Sequence, residues 1–278
     1  MPDDRPRPEL RRPSPVLVEL LYEHAPVLDR AALAAGAAAR ASTPAELVAG
    51  SPLGIAFPEW PVPFAEGSAP MVVWLMEPGE RSRPDDWIEE TMRQTWGWDA
   101  AAEVVRRSRS SILVADLMAG PLHQRARLPL YQAVLATLVE SSRPLAMHWI
   151  TGERFVEPDA YLRDVAADPL AFESTVNVRY VTLSGRPGVQ LMDTVGMAPF
   201  GLPDVQAQFT TLEPAWVAGK LLSVAAYLFE HGDVIEDGHT IPGLEEDESW
   251  RCTHELALMG PEREVLDIDV RPHGPGRD

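Results

Sequence analysis

The residues most able to do chemistry in this 278-residue chain are aspartates and histidines in its second half. Asp193 and Asp204 flank the stretch Thr-Val-Gly-Met-Ala-Pro-Phe-Gly-Leu-Pro. Two carboxylates meeting across a cleft could divide acid and base work between them. The competing reading is local. Aspartate side chains hydrogen-bond turn backbone, and Gly196, Gly201 and Pro203 mark this segment as turn-rich, which favours the local reading. His239, His254 and Glu255, with Asp237 as a fourth, offer the imidazole and carboxylate ligands that suit zinc or iron. However, His254 and Glu255 are neighbours in an expected strand and so point to opposite faces. Their spacing matches no known metal signature, and no metal or cofactor is expected. Cys252 is the only cysteine. In Trp-Arg-Cys-Thr-His-Glu it reads as a small buried hydrophobe rather than a nucleophile. The chain carries no Gly-x-Ser-x-Gly elbow, P-loop, His-Glu-x-x-His or dinucleotide fingerprint. No catalytic residue is assigned, and Asp193, Asp204 and His239 are kept as candidates.

The elements that must position these residues follow from pattern. Val16–Tyr22 reads as a buried strand, and Leu28–Ala41 as an Ala-rich helix with Asp29 near its start. Leu53–Phe57 reads as a short strand broken by Pro58, Pro61 and Pro63, and Met71–Met76 as another strand. Helices are expected from Asp85 or Asp86 to about Trp96, from Asp99 to Arg107, and over Asp159–Val165. A further helix is expected over Arg125–Glu140, where Leu128, Tyr131, Leu135 and Leu138 share a face. Trp87, Trp96 and Trp98 read as core packing. Strands are expected over Ser111–Met118 and Leu145–Ile150.

Beyond Ser174 the rhythm changes. Val176–Leu183, Val189–Thr194 and Val205–Leu212 read as strands. Pro214 opens a helix that closes at Gly232, with Val217, Leu221, Val224 and Leu228 on one face. Asp237-Gly238 between alternating apolar residues specifies a type I′ hairpin turn, with φ > 0 at Gly238. Trp250–Met259 and Glu264–Val270 are the last strands expected. The fold class is therefore α+β, with mixed and antiparallel sheets, packed helices and two tightly associated subdomains. An α/β-type subdomain is expected over 16–170 and an α+β subdomain over 171–270. Residues 1–15, with five prolines, and 271–278 read as disordered tails.

Charge narrows function. Formal net charge is −18, which argues against a nucleic-acid partner. From Glu230 onward there are 14 Asp/Glu against 4 Arg. An acidic surface attracts basic partners, though it also serves solubility alone. The loop Glu245-Glu246-Asp247-Glu248, beside Trp250 as an aromatic anchor, is the expected contact with a protein partner. No stretch approaches the ~20 apolar residues of a membrane span, the first residues do not read as a signal peptide, and the expected location is cytoplasmic.

Several motifs resemble the bacterial family catalogued as domain of unknown function 4261. They are Leu-Met-Asp-Thr-Val-Gly-Met-Ala-Pro-Phe-Gly-Leu-Pro-Asp-Val-Gln (191–206), Gly-Asp-Val-Ile-Glu-Asp-Gly-His-Thr (232–240), Trp-Arg-Cys-Thr-His-Glu (250–255), Pro-Glu-Arg-Glu-Val-Leu-Asp-Ile (261–268) and Trp-Gly-Trp-Asp-Ala-Ala (96–101). Arg179, in Val-Asn-Val-Arg, falls in a similar stretch, and the resemblance runs from about Val16 to Val270. It implies one module across the expected boundary and no established reaction. Two functions are therefore expected to compete. One is a non-enzymatic cytoplasmic accessory protein of bacteria that binds a protein partner, with an immunity-like role as one form of it. The alternative is a small-molecule or metal-dependent, hydrolase-like enzyme built on Asp193, Asp204, Asp237 and His239.

Overall fold

The computed structural model describes residues 12–274 except 49, 51, 81–85, 184, 244, 246, 247 and 272. The chain divides into two compact units, one spanning Ser14–Asn177 and the other holding the described residues from Val178 onward. Residues 171–177, placed with the second subdomain from sequence, thus go with the first unit. Both units combine helices with antiparallel or mixed sheet, so the class is α+β.

In the first unit the elements run β1 (Leu17–Tyr22), α1 (Arg30–Ala41), β2 (Glu46–Val48), β3 (Leu53–Phe64), β4 (Gly67–Leu75), β5 (Gly79–Glu80), α2 (Asp86–Met92), α3 (Ala101–Arg106), β6 (Ser110–Ala115), α4 (Gln124–Ser142), β7 (Ala146–Trp149), β8 (Arg154–Val156), α5 (Pro158–Ala167) and α6 (Phe172–Thr175). The sheet order is β2-β3-β4-β6-β1-β7-β8, with β5 also on β6. The pairings are antiparallel, which corrects the α/β-type expectation. The misleading rhythm has a physical source. β6 and β7 both run antiparallel to β1, one on each side of it, so they are parallel to each other. The β6–α4–β7 connection therefore has the sequence of a parallel crossover while β1 lies between its strands.

Helix α1 begins where Asp29 accepts from the Ala32 amide at 3.0 Å, a side-chain cap. It lies against α4 so closely that a Cβ on Gly36 would meet Thr137 Cγ2 at 2.4 Å. Helix α4 is buried nearly all round, beyond the single face expected from its leucines. On one side of the sheet Leu21, Ala146 and Phe155 pack against Ile88 of α2 and Val105 of α3, with Met92 and Trp98 alongside. Trp98 thus packs as expected, whereas Trp96 is 57% exposed. The Trp87 side chain and the Asp85 cap lie outside the described residues.

Strand β3 continues through its prolines, where the sequence suggested a break. A bulge separates Phe57 from Pro61, and among the described residues β2 pairs with residues 54–56. Beyond that point the outer side of β3 has no β2 ladder to lose, which is where a strand tolerates proline. The expected N-terminal tail is tied at its end: the Ser14 carbonyl accepts from Arg127 at 2.7 Å, and the Val16 amide donates to Asp116 at 2.7 Å. Arg127 and Asp116 form a buried two-point ion pair, and burial outweighs the arginine in raising the Asp116 carboxyl.

The second unit's elements are β9 (Asn177–Thr182), β10 (Gln190–Val195), a 3-10 turn over Ala198–Phe200, β11 (Asp204–Phe209), α7 (Pro214–His231), β12 (Thr240–Pro242), β13 (Ser249–Leu256) and β14 (Glu264–Asp269). The sheet order is β12-β13-β14-β11-β10-β9. β11 and β14 are parallel, and β10–β11, β12–β13 and β13–β14 are antiparallel. Helix α7 buries Val217, Leu221, Val224, Ala225, Leu228 and Phe229. The expected C-terminal tail is partly held, because the His273 carbonyl accepts from the Thr210 amide at 2.8 Å and from its hydroxyl at 3.0 Å. Among the described residues no helix is long and apolar enough to cross a membrane.

Candidate functional site

Strand alternation sorts the second unit's polar residues. Cross-strand partners share a face, so Asp193, Gln206 and Asp267 form one polar row across β10, β11 and β14. Asp204 and Glu255 lie on the same face by two-residue steps. The opposite face carries Met192, Ala207, Ile268 and Cys252, with His254 two residues further along β13.

The polar face is not an open cleft. Asp193 is 1% exposed and takes Arg179 in a two-point contact, Nε–Oδ1 at 3.0 Å and Nη2–Oδ2 at 2.6 Å. Arg263 bridges the two aspartates, with Nη2 2.6 Å from Asp193 Oδ2 and Nε 3.1 Å from Asp204 Oδ2. Its remaining contacts run to the carbonyls of Met259, Pro261 and Thr194 at 2.9–3.0 Å. Those five contacts match the five N–H donors of a guanidinium. Asp204 Oδ1 accepts from the Thr194 hydroxyl at 3.0 Å and the Met197 amide at 3.2 Å. Burial raises the Asp204 carboxyl to about 6; Arg263, the Met197 amide and the Thr194 hydroxyl oppose the rise, and Asp193 adds to it. Gln206 donates to Glu255 at 2.7 Å and to Asp267 at 3.1 Å, and accepts from the Leu258 amide at 3.2 Å. The segment 257–263 is thereby strapped over the row, since the Gly260 carbonyl also accepts from Arg179 at 2.7 Å.

The structure thus brings Asp193 and Asp204 together, but around arginine. Asp204 does bond turn backbone, whereas Asp193 is held by two guanidiniums. Gly196 and Gly201 both have positive φ, and Gly201 closes the 3-10 turn with φ 69°. Pro203 leads directly into β11.

A second cluster sits on the other face. His254, with its side chain 4% exposed, places Nδ1 2.7 Å from Asp237 Oδ1 and Nε2 3.1 Å from Asp233 Oδ1. Its backbone amide also donates to Asp237 Oδ1 at 2.8 Å. Carboxylates only accept, so an imidazolium satisfies both contacts. Glu255 points to the opposite face, as the strand alternation requires. His239 goes with its own turn: its Nδ1 accepts from the Glu236 amide at 3.1 Å, and its Nε2 lies 3.7 Å from Glu236 Oε2. Among the described residues no group of three or more His, Cys, Asp or Glu side chains is placed to hold a metal ion.

Gly238 has φ 89°, as expected, but Asp237 is not among the positive-φ residues, so the turn is not type I′. Residues 234–236 are not a strand either, and β12 pairs with β13 instead. The Asp237 side chain instead bonds His254, seventeen residues further along. The hairpin connection is the acidic loop. There the Gly243 amide donates to the Glu248 carbonyl at 2.8 Å, and the Glu248 amide to the Glu245 carbonyl at 3.1 Å. Glu245 is exposed, while the Glu248 carboxylate faces His273 at 3.5 Å. Glu246 and Asp247 lie outside the described residues. Trp250 is 1% exposed, which corrects its expected role as a presented anchor. It is placed on the inner face and packs edge-on against Trp216 at 5.6 Å. Cys252 is buried, which pushes its thiol up to about 11, in keeping with a packing residue.

Sequence reasoning missed a groove of about 770 Å³ between α7 and residues 234–242. It is flanked by Lys220, Ser223 and Tyr227, which recur at helical spacing on α7. Trp216 and Tyr227, 37% and 47% exposed, are the partly open aromatics on that helix, and their i, i+11 spacing was the available signal. In the first unit it also missed the buried cross-strand pair Glu19–His148, Oε2 to Nδ1 3.7 Å. A lone Glu in Val-Leu-Val-Glu-Leu-Leu-Tyr was the clue.

The unit is thus an α+β module with one closed polar face and one grooved face. Residues 193–269, from β10 to the end of β14, match the family described as domain of unknown function (DUF4261). No curated protein and no solved structure matches the chain.

Proposed function

We propose that this chain is a non-enzymatic accessory protein of the bacterial cytoplasm that binds a basic protein partner through the acidic surface of its second unit, with toxin neutralisation as one form of that role. The carrying observation is how the carboxylates are distributed. Asp193 and Asp204, the pair that could divide acid and base work, are buried in contact with arginine. Glu230, Glu236, Asp237, Glu245 and Glu262 are exposed. Exposed like charges at this density raise the encounter rate with a basic protein and repel anionic surfaces.

The test is capture from a lysate of the source organism, comparing wild type with a variant carrying Glu245→Ser, Glu246→Ser and Asp247→Ser. Glu248 is left intact because its carboxylate faces His273. The reading expects a basic protein held by the wild type and depleted in the variant, with equal melting temperatures. Equal recovery by both, or recovery by neither, contradicts it.

A further inference from the structure

We infer that the groove between α7 and β12 is a binding site for an organic carboxylate with an apolar body, anchored on Lys220. This goes beyond the partner-binding reading and uses different residues.

Lys220 is the only lysine in a chain with 42 acidic residues. Even so, among the described residues its ammonium forms no ion pair. It lies 6.0 Å from the centroid of the Trp250 ring and lines the groove. Among the described residues that line the groove none is a carboxylate. The groove therefore holds a cation with no carboxylate beside it among its described lining residues. Ser223, one turn along α7, and Thr240, on β12, place hydroxyl donors on the same groove. An ammonium flanked by hydroxyls is a donor set suited to a carboxylate.

Apart from the His239 imidazole, the rest of the wall is mainly apolar. Val224 and Ile235 are buried, Ile241 is half-buried, and Tyr227 is exposed, with its ring stacked on His231 at 4.4 Å. About 770 Å³ falls within the range of small-molecule sites, which are mostly apolar with a few placed polar groups. The net charge of −18 disfavours purely ionic capture of an anion, so the apolar body must supply part of the affinity. Charges more than a Debye length away, ~8 Å at physiological salt, are largely screened at Lys220.

The test titrates decanoate and 4-phenylbutyrate into the full-length protein by calorimetry and tryptophan fluorescence, since Trp216 and Trp250 adjoin Lys220. Decanol and decyltrimethylammonium probe the body without the carboxylate and the opposite charge. The proposal expects saturable binding of at least one carboxylate, weakened by about tenfold or more in Lys220→Met and largely retained in Lys220→Arg. Decanol should bind more weakly and the ammonium should not saturate. Ser223→Trp, at an exposed position, should block the groove without unfolding the protein, which keeps the test valid if Lys220→Met fails to fold. Saturation by neither carboxylate, equal affinity for all the apolar probes, tighter binding of the ammonium, or carboxylate binding unchanged by both Lys220→Met and Ser223→Trp overturns the proposal. The acidic-loop variant leaves these groove residues in place, so failure of one reading is separable from failure of the other.

Discussion

Two clusters of carboxylates lie on opposite faces of one sheet, and their surroundings give them different work. On the polar face, Asp193 and Asp204 are each 1% exposed and bound to guanidiniums whose other donors reach main-chain carbonyls. On the other face, Asp233 and Asp237 keep side chains 18% and 44% exposed and share the single imidazole of His254. The same residue types form a sealed clamp in one place and a partly wet rim in the other. Residue type therefore does not distinguish a reactive carboxylate from a structural one; what covers it does.

The largest effect expected is from Arg263→Met. It leaves two buried carboxylates short of a partner and frees the strap over 257–263, at a cost of about 3–5 kcal/mol in urea unfolding. A loss below about 1 kcal/mol would mean the network does not hold this face together. His254→Gln sharpens the contrast. It removes one end of a hydrogen-bonded bridge at a partly exposed rim and should cost only about 1–2 kcal/mol. A cost equal to that of Arg263→Met would erase the distinction between the faces.

The smallest effect is a pH slope. Asp204 has a folded value raised to about 6, above the unfolded carboxylate value of about 3.9. Between those values the folded state binds more protons than the unfolded state, so this group makes stability fall as pH rises from about 4 to 6. Asp204→Asn should flatten that part of the stability profile. An unchanged profile would show that Asp204 stays ionised throughout the interval.

Much of this arrangement was legible. The Asp29 cap, the closing glycine of α7 and the opposed faces of His254 and Glu255 follow from local rules, which act within a few residues. Gly238 was legible as a positive-φ position for the same reason. What its neighbour Asp237 does was not, because its partner His254 is seventeen residues away. Trp250 beside an acidic loop reads as a surface anchor until alternation along β13 and the position of α7 place it inside. The arginine clamp needed contacts between Arg179, Asp193 and Arg263, separated by 14 and 70 residues, which no periodicity encodes. The antiparallel order of the first sheet was hidden because β1 inserts between two strands that adjoin α4 in sequence.

On the proposed reading, the exposed carboxylates act by attraction at a distance while the buried ones hold the fold. This is tested most directly by the association rate constant with the captured partner, measured as salt is raised, for wild type and for the Glu245→Ser, Glu246→Ser, Asp247→Ser variant. The wild-type association rate should fall steeply with salt, and the dissociation rate should change less. The variant should start slower and show a shallower slope. Identical slopes and rates for the two proteins would contradict it.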